Sequence, residues 1–423
     1  MREMNSTGIV WCPSIPSDWD IRRVKNCFYI SKVKAGTKNP VVLKLARSGV
    51  QVKDVTVNGG QMAESYDDYN PVQVGDLLLN PMDLYSGANC NVSEVEGVIS
   101  PAYVNLRAKE SLNPYFFDYY FKIQYWTMAM FAHGKGVSYD NRWTINAESV
   151  KAYELPFPSV DEQNVIVDSI KKRSNQIDAL IANAEQQIEK FKAYKQSVIT
   201  ETVTKGLDPD VPMKYSGIDW MGDIPQNWII TKIKYVTDVS RGLFNHRPRN
   251  DARFYNGAYP FIQTGDVARA TKFITEYSQT LNENGIKVSK QFPRGTLTMT
   301  IAANVGDVAV LGFDAYFPDS VVGFIPHSDC YGNYLYYIFR AMKDVFVNAS
   351  IMNTQLNLNV ERVKNLYMPF VTTIAEQEII ADYLDHKCDQ IDKLIALKQQ
   401  KIEKLQQYKK SLIYEYVTGK KEV

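Results

Sequence analysis

The sequence predicts an α+β protein in which two α/β domains are joined by two long helices that form an antiparallel intramolecular coiled coil. Three observations predict it. Residues 161–204 and 375–418 are helical copies of one another: Glu162-Gln163 returns as Glu376-Gln377, Gln176-Ile177-Asp178 as Gln390-Ile391-Asp392, Ile188-Glu189-Lys190 as Ile402-Glu403-Lys404 and Tyr194-Lys195 as Tyr408-Lys409. The copies stand 214 residues apart throughout (162 to 376, 188 to 402, 194 to 408), so nothing was gained or lost inside the element, as a rigid helix requires. Ahead of each helix, Gly8-Ile9, Trp11, Ile15-Pro16 and Trp19 recur as Gly217-Ile218, Trp220, Ile224-Pro225 and Trp228, 209 residues on (8 to 217, 19 to 228), which makes the chain a tandem duplication.

The helical spacing says what the rods do. Ile177, Ile181, Ala184, Ile188, Phe191 and Val198 follow steps of four and three, with Lys195 in one slot, and Ile391, Ile395, Ile402, Leu405 and Leu412 repeat the pattern. This is a heptad seam. At 1.5 Å per residue each rod is roughly 60 to 65 Å long and cannot bury its seam alone. Its own copy is the nearest partner, and an antiparallel pairing relates the halves by a pseudo-twofold axis; a coiled coil between separate chains is the alternative.

The chain divides into a first domain at 1–158, a spacer helix at 159–205, a linker with the repeated Trp motif at 206–229, a second domain at 230–370 and a second spacer helix at 371–419. In the first domain, 41–45 and 76–79 read as strands between Gly and Asn-Pro turns, 113–132 as helix, and 133–143 as an irregular polar loop. Leu155-Pro156-Phe157-Pro158 closes it, because Pro cannot continue a strand ladder. In the second domain, 260–266, 295–300 and 308–310 read as strands with Gly turns and 331–347 as helix, with 366–369 repeating the exit. Gly206 ends the first long helix and Pro209 prevents its renewal. Between the Trp motif and the helix the two copies share little alignable sequence, the pattern of one scaffold carrying two different readers.

Composition excludes several functions. Net charge is +1, aromatic content 12%, and five Cys and four His are scattered without ligand spacing, so structural zinc and a disulfide framework are not expected, and no metal site is. No apolar leader or run of eighteen apolar residues is present, so a cytoplasmic protein is expected. No catalytic residue is assigned. There is no phosphate-cradling Gly-x-x-x-x-Gly-Lys-Ser/Thr, and the one nuclease-like Asp-x-Lys, Asp385-His386-Lys387, falls on a solvated helix face. Asn113-Pro114-Tyr115-Phe116 lacks the second Pro of a base-flipping adenine loop and reads as a helix-initiating turn.

Binding features are stronger. Arg241, Asn245, His246, Arg247 and Arg249 crowd one stretch, with Arg253, Lys232 and Lys234 nearby; Lys and Arg position phosphates while Arg, Asn and Gln read base edges. Lys44, Arg47, Lys53, Lys135 and Arg142, mixed with Tyr66, Asn80, Tyr85 and Asn89, are the candidates in the first domain. Asn353, Gln355 and Asn357, at the place equivalent to 135–142, and Thr264 complete the set. On the helix faces, Gln176, Asp178 and Glu189 are kept as Gln390, Asp392 and Glu403, as are Lys190 and Lys404. Two equivalent docking surfaces for one kind of partner would retain them, as would a recent duplication.

Taken in order, Ser216-Gly217-Ile218-x-Trp220-x-Gly222-x-Ile224-Pro225-x-x-Trp228, Gln263-Thr264-Gly265-Asp266 and the two exits Glu162-Gln163-Asn164-Val165-Ile166 and Glu376-Gln377-Glu378-Ile379-Ile380 resemble the specificity subunits of type I restriction-modification enzymes over the whole chain. The first copy departs from that pattern at Cys12-Pro13-Ser14, where Gly is expected, and has no Thr-Gly-Asp turn. The resemblance implies target recognition domains, each reading half of a split double-stranded DNA sequence, with the helices as spacer. It also implies two methyltransferase subunits that use S-adenosylmethionine to methylate one adenine per half-site, and two restriction subunits that use ATP and Mg. This prokaryotic chain would bind no cofactor itself and supply the address. A coiled-coil adaptor whose variable domains bind proteins is the rival reading.

Overall fold

The computed structural model describes residues 2–31, 33–36, 40–46, 48–55, 65–82, 84, 89–136, 143–302, 304–352 and 356–423. The duplicated rods are helices Val160–Lys205 and Ile374–Val417, of 46 and 44 residues. Two compact units result, one of 1–184 with 400–423 and the other of 185–399, so each unit holds the first half of one helix and the last half of the other.

Inside each unit the helix halves run antiparallel. In the first, Ile177 and Leu412 share a core with Ile181 and Leu405, and Lys409 Nζ reaches both oxygens of Asp178 at 2.7 Å. In the second, Lys195 Nζ reaches the Asp392 oxygens at 2.8 and 2.6 Å. Lys195 and Lys409 are equivalent residues, as are Asp178 and Asp392. The base in the seam is thereby explained: its stem covers the apolar stripe and its charge meets a carboxylate on the facing helix. Each such half-exposed pair is worth about 0.2–1 kcal/mol, so burial of Ile177, Ala184, Ile188, Ile391, Ile402 and Leu412, all under 7% exposed, holds the helices together.

The repeated Trp motif is a β-hairpin, Met4–Ile9 with Cys12–Pro16 in the first unit and Met213–Tyr215 with Asp223–Pro225 in the second. Its Trp clamps both helix ends. Trp19 Nε1 donates to Glu162 in the first turn of one helix at 2.9 Å, and a Cβ at Gly419, just past the end of the other, would stand 3.2 Å from its ring. Trp228 donates to Glu376 at 2.9 Å and lies equally close to Gly206. Both glycines have positive φ, +76° at Gly206 and +68° at Gly419, as a helix-terminating residue in the left-handed region requires.

The neighbouring repeated Gln has the complementary task. Gln163, fully buried, donates to Pro158 O at 3.0 Å and accepts from Asn113 N at 2.8 Å; Gln377 donates to Val371 O and Asp329 O and accepts from Tyr331 N at 2.6 Å. Asn113 and Tyr331 are the residues before helices Pro114–Trp126 and Gly332–Ala341. Glu-Gln therefore fastens each long helix to the Trp hairpin with one side chain and to the domain's own helix with the next.

The two domains, unalike in sequence, share one sheet order. In the first it is Phe28–Ile30, Val104–Ala108, Leu77–Leu79, Cys90–Val92; in the second, Thr237–Arg241, Val321–Pro326, Leu297–Thr300, Val308–Leu311, with Phe273–Ile274 added in parallel at the edge. Alternation sets the faces. Leu77 and Leu79 pack on Phe116, Phe117, Tyr120 and Phe121, while Leu78 faces a second cluster with Leu43, Leu45, Val72 and Ile99. The second domain packs Leu297 and Met299 on Tyr334, Leu335, Ile338 and Phe339, and Ala309 and Leu311 on Ile262, Phe292 and Phe317.

Several expectations are corrected. Pro156 and Pro369 lie within strands, Glu154–Phe157 pairing with Asp20–Arg23 and Tyr367–Phe370 with Ile229–Lys232; in a two-stranded ribbon each strand has a free edge, where a missing N–H costs nothing. Residues 263–266 open the helix Thr264–Arg269 instead of turning between strands, because Asp266 accepts from Gln263 N at 2.8 Å and caps it. The helix expected to 132 stops at Trp126, with Met128 at φ 59°, and that expected over 331–347 breaks at Met342. Asp385 is no solvated bystander: it binds Lys272 Nζ at 2.5 and 2.7 Å and accepts from the Tyr337 hydroxyl.

Candidate nucleic-acid interface

Both sheets gather loops at one end. In the first unit, Leu77–Leu79 leads into the stretch 80–89, and Asn80 N donates to Asn89 O at 2.9 Å across its mouth. Residues 143–145 lie against it: Leu84 N donates to Trp143 O at 3.1 Å and Ile145 N to Pro81 O at 2.9 Å. A third segment joins through Asn89 Nδ2, which donates to Ala46 O at the tip of the hairpin Leu43–Ala46 with Gly49–Val52. Asn80 is bound as well, its side chain accepting from Met82 N at 3.0 Å and its carbonyl from Tyr125 Oη at 2.9 Å.

The second unit builds the same end from other residues. Leu297–Thr300 leads into 301–307, and Leu358 N donates to Ile301 O at 2.9 Å, the counterpart of Ile145 and Pro81. A short helix follows each returning loop, Ala147–Ala152 capped by Asn146 and Val360–Lys364 capped by Asn359. Ile301 N donates to Ser320 O at 3.0 Å, and Arg241, paired with Val322 in the ladder, brings the basic stretch to the same end.

Carboxylates fix that basic stretch. Asp319 binds Arg249, lies 3.8 Å from Arg247 and lends its carbonyl to Arg241; Arg247 also donates to Phe244 O and His246 O at 2.9 Å. Asp251 receives Arg253 at 2.7 Å and His246 at 3.0 Å, and the Arg253 guanidinium first, then His246, holds its carboxyl well below the usual carboxylate range. The ring of His246 sits 4.2 Å from that of Phe254, and Asn245 N donates to Val288 O at 2.9 Å. Arg247 and Arg249 remain half exposed while these partners restrict their freedom, which lowers the entropy lost if they bind an anion.

Of the residues singled out from sequence, Asn80, Asn89, Lys135, Arg241, Asn245, His246, Arg247 and Arg249 are brought to these loop ends. Lys135 pairs with Thr144 through two backbone hydrogen bonds. Lys44 projects from the exposed face of its hairpin, and Lys53 N donates to Val42 O at the far end of the same hairpin. Tyr66 crosses Tyr69 edge to face at 5.1 Å, just before strand Asn70–Val72. Thr264 stands apart, at the start of a helix packed on the other face of the second sheet. Arg47, Tyr85, Arg142, Asn353 and Gln355 lie outside the described residues, as does the side chain of Asn357.

Gln176, Glu189, Gln390 and Glu403 lie on the exposed sides of the long helices. Asp178 and Asp392 are engaged within the helix pair, which accounts for their retention. Sequence reasoning missed Asp251 and Asp319, and also Lys290, whose Nζ meets Ser240 Oγ, and Lys343, which binds Asp307 at 2.8 Å. No spacing could have revealed these, since only tertiary packing brings 240 beside 290, next to the bridge of Phe244 with Ser289, and 307 beside 343 at the start of helix Lys343–Asn348.

Burial raises the thiols of Cys12 and Cys27 to about 11 and that of Cys330 to about 12, so they stay protonated and unreactive at neutral pH. Among the described residues no helix is long and apolar enough to cross a membrane, and no three His, Cys, Asp or Glu cluster as a metal site.

One duplicated helical frame that carries two domains with unlike loop ends defines the class of protein, and known proteins share it. Residues 225–407 match the family model of the type I restriction modification DNA specificity domain. The type I restriction enzyme MjaVIII specificity subunit of Methanocaldococcus jannaschii is 21% identical, over 96% of this chain and 93% of its own. A chain solved in work on the complex assembly and conformational transition of the type I R-M system superposes with a TM-score of 0.72 at 16% identity, covering 96% of this chain and 99% of that one. The HsdS subunit from Thermoanaerobacter tengcongensis does so with a TM-score of 0.52 at 15% identity, covering 96% and 98%. Over nearly its whole length the chain is thus similar to a specificity subunit of a type I restriction enzyme, and it shares the fold of solved chains from such systems.

Proposed function

We propose that each unit reads one half of a split double-stranded DNA target with the loops at one end of its sheet, while the helix pair sets the gap between halves. The reading domains are 1–158 and 230–370. The observation that carries this is the repeated loop pair: two unrelated sequences close the same backbone contact, Ile145 to Pro81 and Leu358 to Ile301, at the same end of sheets of the same order. A constant frame with variable ends is what two different half-sites require. Phosphate contacts from Lys44, Lys53, Lys135 and Arg241 set register, and Asn80, Asn89, Asn245, His246, Arg247 and Arg249 read base edges.

The chain serves as address and scaffold for two methyltransferase subunits and two restriction subunits. Exposed Gln176, Glu189, Gln390 and Glu403 offer each methyltransferase an equivalent surface. S-adenosylmethionine, ATP and Mg belong to those partners. The near-neutral charge of this chain, +1, fits an assembly in which the partners add phosphate contacts.

Sequencing methylated adenines in cells that express this chain with its methylating partner tests the reading. The expected result is one bipartite motif with a constant gap and one modified adenine in each half. Methylation at an undivided motif, or none above background, would refute it.

A further inference from the structure

The duplicated frame balances its charges in one unit and not in the other. In the second unit, Asp385 on the long helix takes Lys272, whose Nζ also lies 5.2 Å from the Tyr337 ring centre. The residue equivalent to Asp385 in the first copy is Lys171 (171 to 385, the same offset of 214), and that equivalent to Gln196 in the second unit is Lys410. Acid and amide are thus replaced by two bases at matching positions.

These bases line a cavity of about 550 Å³ between helix Pro114–Trp126 and the two long-helix halves of the first unit. Four lysines line it. Lys122 is engaged by buried Asp118 at 2.5 Å, and Lys409 by Asp178 at 2.7 Å. Lys171 and Lys410 have no carboxylate among the described residues; they rest on the rings of Tyr115 at 4.2 Å and Trp126 at 5.6 Å. Ser174, 7% exposed and also lining the cavity, has a hydroxyl without a partner. Its equivalent is Cys388, which needs none. Two uncompensated cations beside an unused hydroxyl form a site complementary to an oxyanion.

We infer that this cavity holds a backbone phosphate of the bound DNA, a contact made by the first unit alone. The proposal rests on the DNA-reading function above. DNA is favoured over an acidic protein segment because helix Pro114–Trp126, which forms one wall, runs directly to the reading loops: Tyr125 Oη donates to Asn80 O at 2.9 Å. Lys171 and Lys410 give the charge, and Ser174 gives a hydrogen bond.

The test is the salt dependence of target binding by the full chain assembled with its methylating partner, for the parent and for the double variant Lys171→Gln with Lys410→Gln. Both residues are exposed, so folding is retained. The slope of log K against log salt should shrink by about 0.9 for the one phosphate no longer neutralised, with affinity down about fivefold near 0.15 M salt. Preference for the target over a scrambled duplex should be unchanged, and Lys171→Arg with Lys410→Arg should restore the slope. An unchanged slope overturns the proposal. An unchanged slope with weakened subunit assembly overturns it in favour of a partner's carboxylate. A parent complex that does not prefer its target sinks the DNA-reading function, whatever the slope does.

Discussion

Replacing Trp228 with Ala should destabilise the second unit by about 3–5 kcal/mol, the usual cost of emptying a fully buried aromatic site. Trp228 is 1% exposed and is packed between the end of one long helix, at Gly206, and the start of the other, at Glu376. Its removal leaves a void at a junction where three segments meet and frees the Glu376 carboxylate. For a unit of this size the loss should lower the melting temperature by about 6–20 °C. Trp228→Phe separates the two effects, since it keeps most of the packing and loses the N–H donor. A drop of about 1.5–3 kcal/mol is expected there, as for a hydrogen bond to a charged group. If thermal unfolding of Trp228→Ala matches the parent within a degree or two, the clamp has been misread.

The second large effect is on recognition. Changing Arg247 and Arg249 together to Ala should weaken binding of the target by about a hundredfold or more, because each arginine that reads a base edge contributes about 1–3 kcal/mol. Folding should not suffer, because both side chains are half exposed and their pairing with Asp319 is worth at most about 1 kcal/mol. If each unit reads one half as proposed, the change should be confined to one half of the motif. A footprint or methylation profile in which both halves relax equally would show that these arginines only anchor phosphates. Asp319→Asn should act oppositely: with the competing carboxylate neutralised, binding to unrelated duplex should tighten several-fold, read by anisotropy at fixed salt.

The parts of this molecule legible in the sequence are those with a period or a duplicate. The heptad spacing from Ile177 to Val198 and the offset of 214 between copies define the helix pair, because a helix repeats its contacts at fixed intervals and tolerates no insertion. Glu162-Gln163 and Glu376-Gln377 are visible as repeats, but their tasks are not. A carboxylate bound to Trp19 from 143 positions away, or an amide holding Asn113 from 50 away, leaves no local spacing to read. The shared sheet order is hidden for the same reason, since strand pairing depends on which faces are buried and not on which residues bury them. Within the loop ends, the basic stretch from Arg241 to Arg249 stands out by composition. The acids that orient it do not, because Asp319 joins it only through the pairing of Thr237–Arg241 with Val321–Pro326.

The central claim is that the two helices set the distance between two independent readings. Deleting one heptad from both, residues 182–188 and 396–402, preserves the seam and shortens the pair by about 10 Å, close to 3 base pairs at about 3.4 Å each. Sequencing methylated adenines after this deletion should return the same two half-sites with a gap about 3 base pairs shorter. The same gap with altered bases in either half would contradict the account.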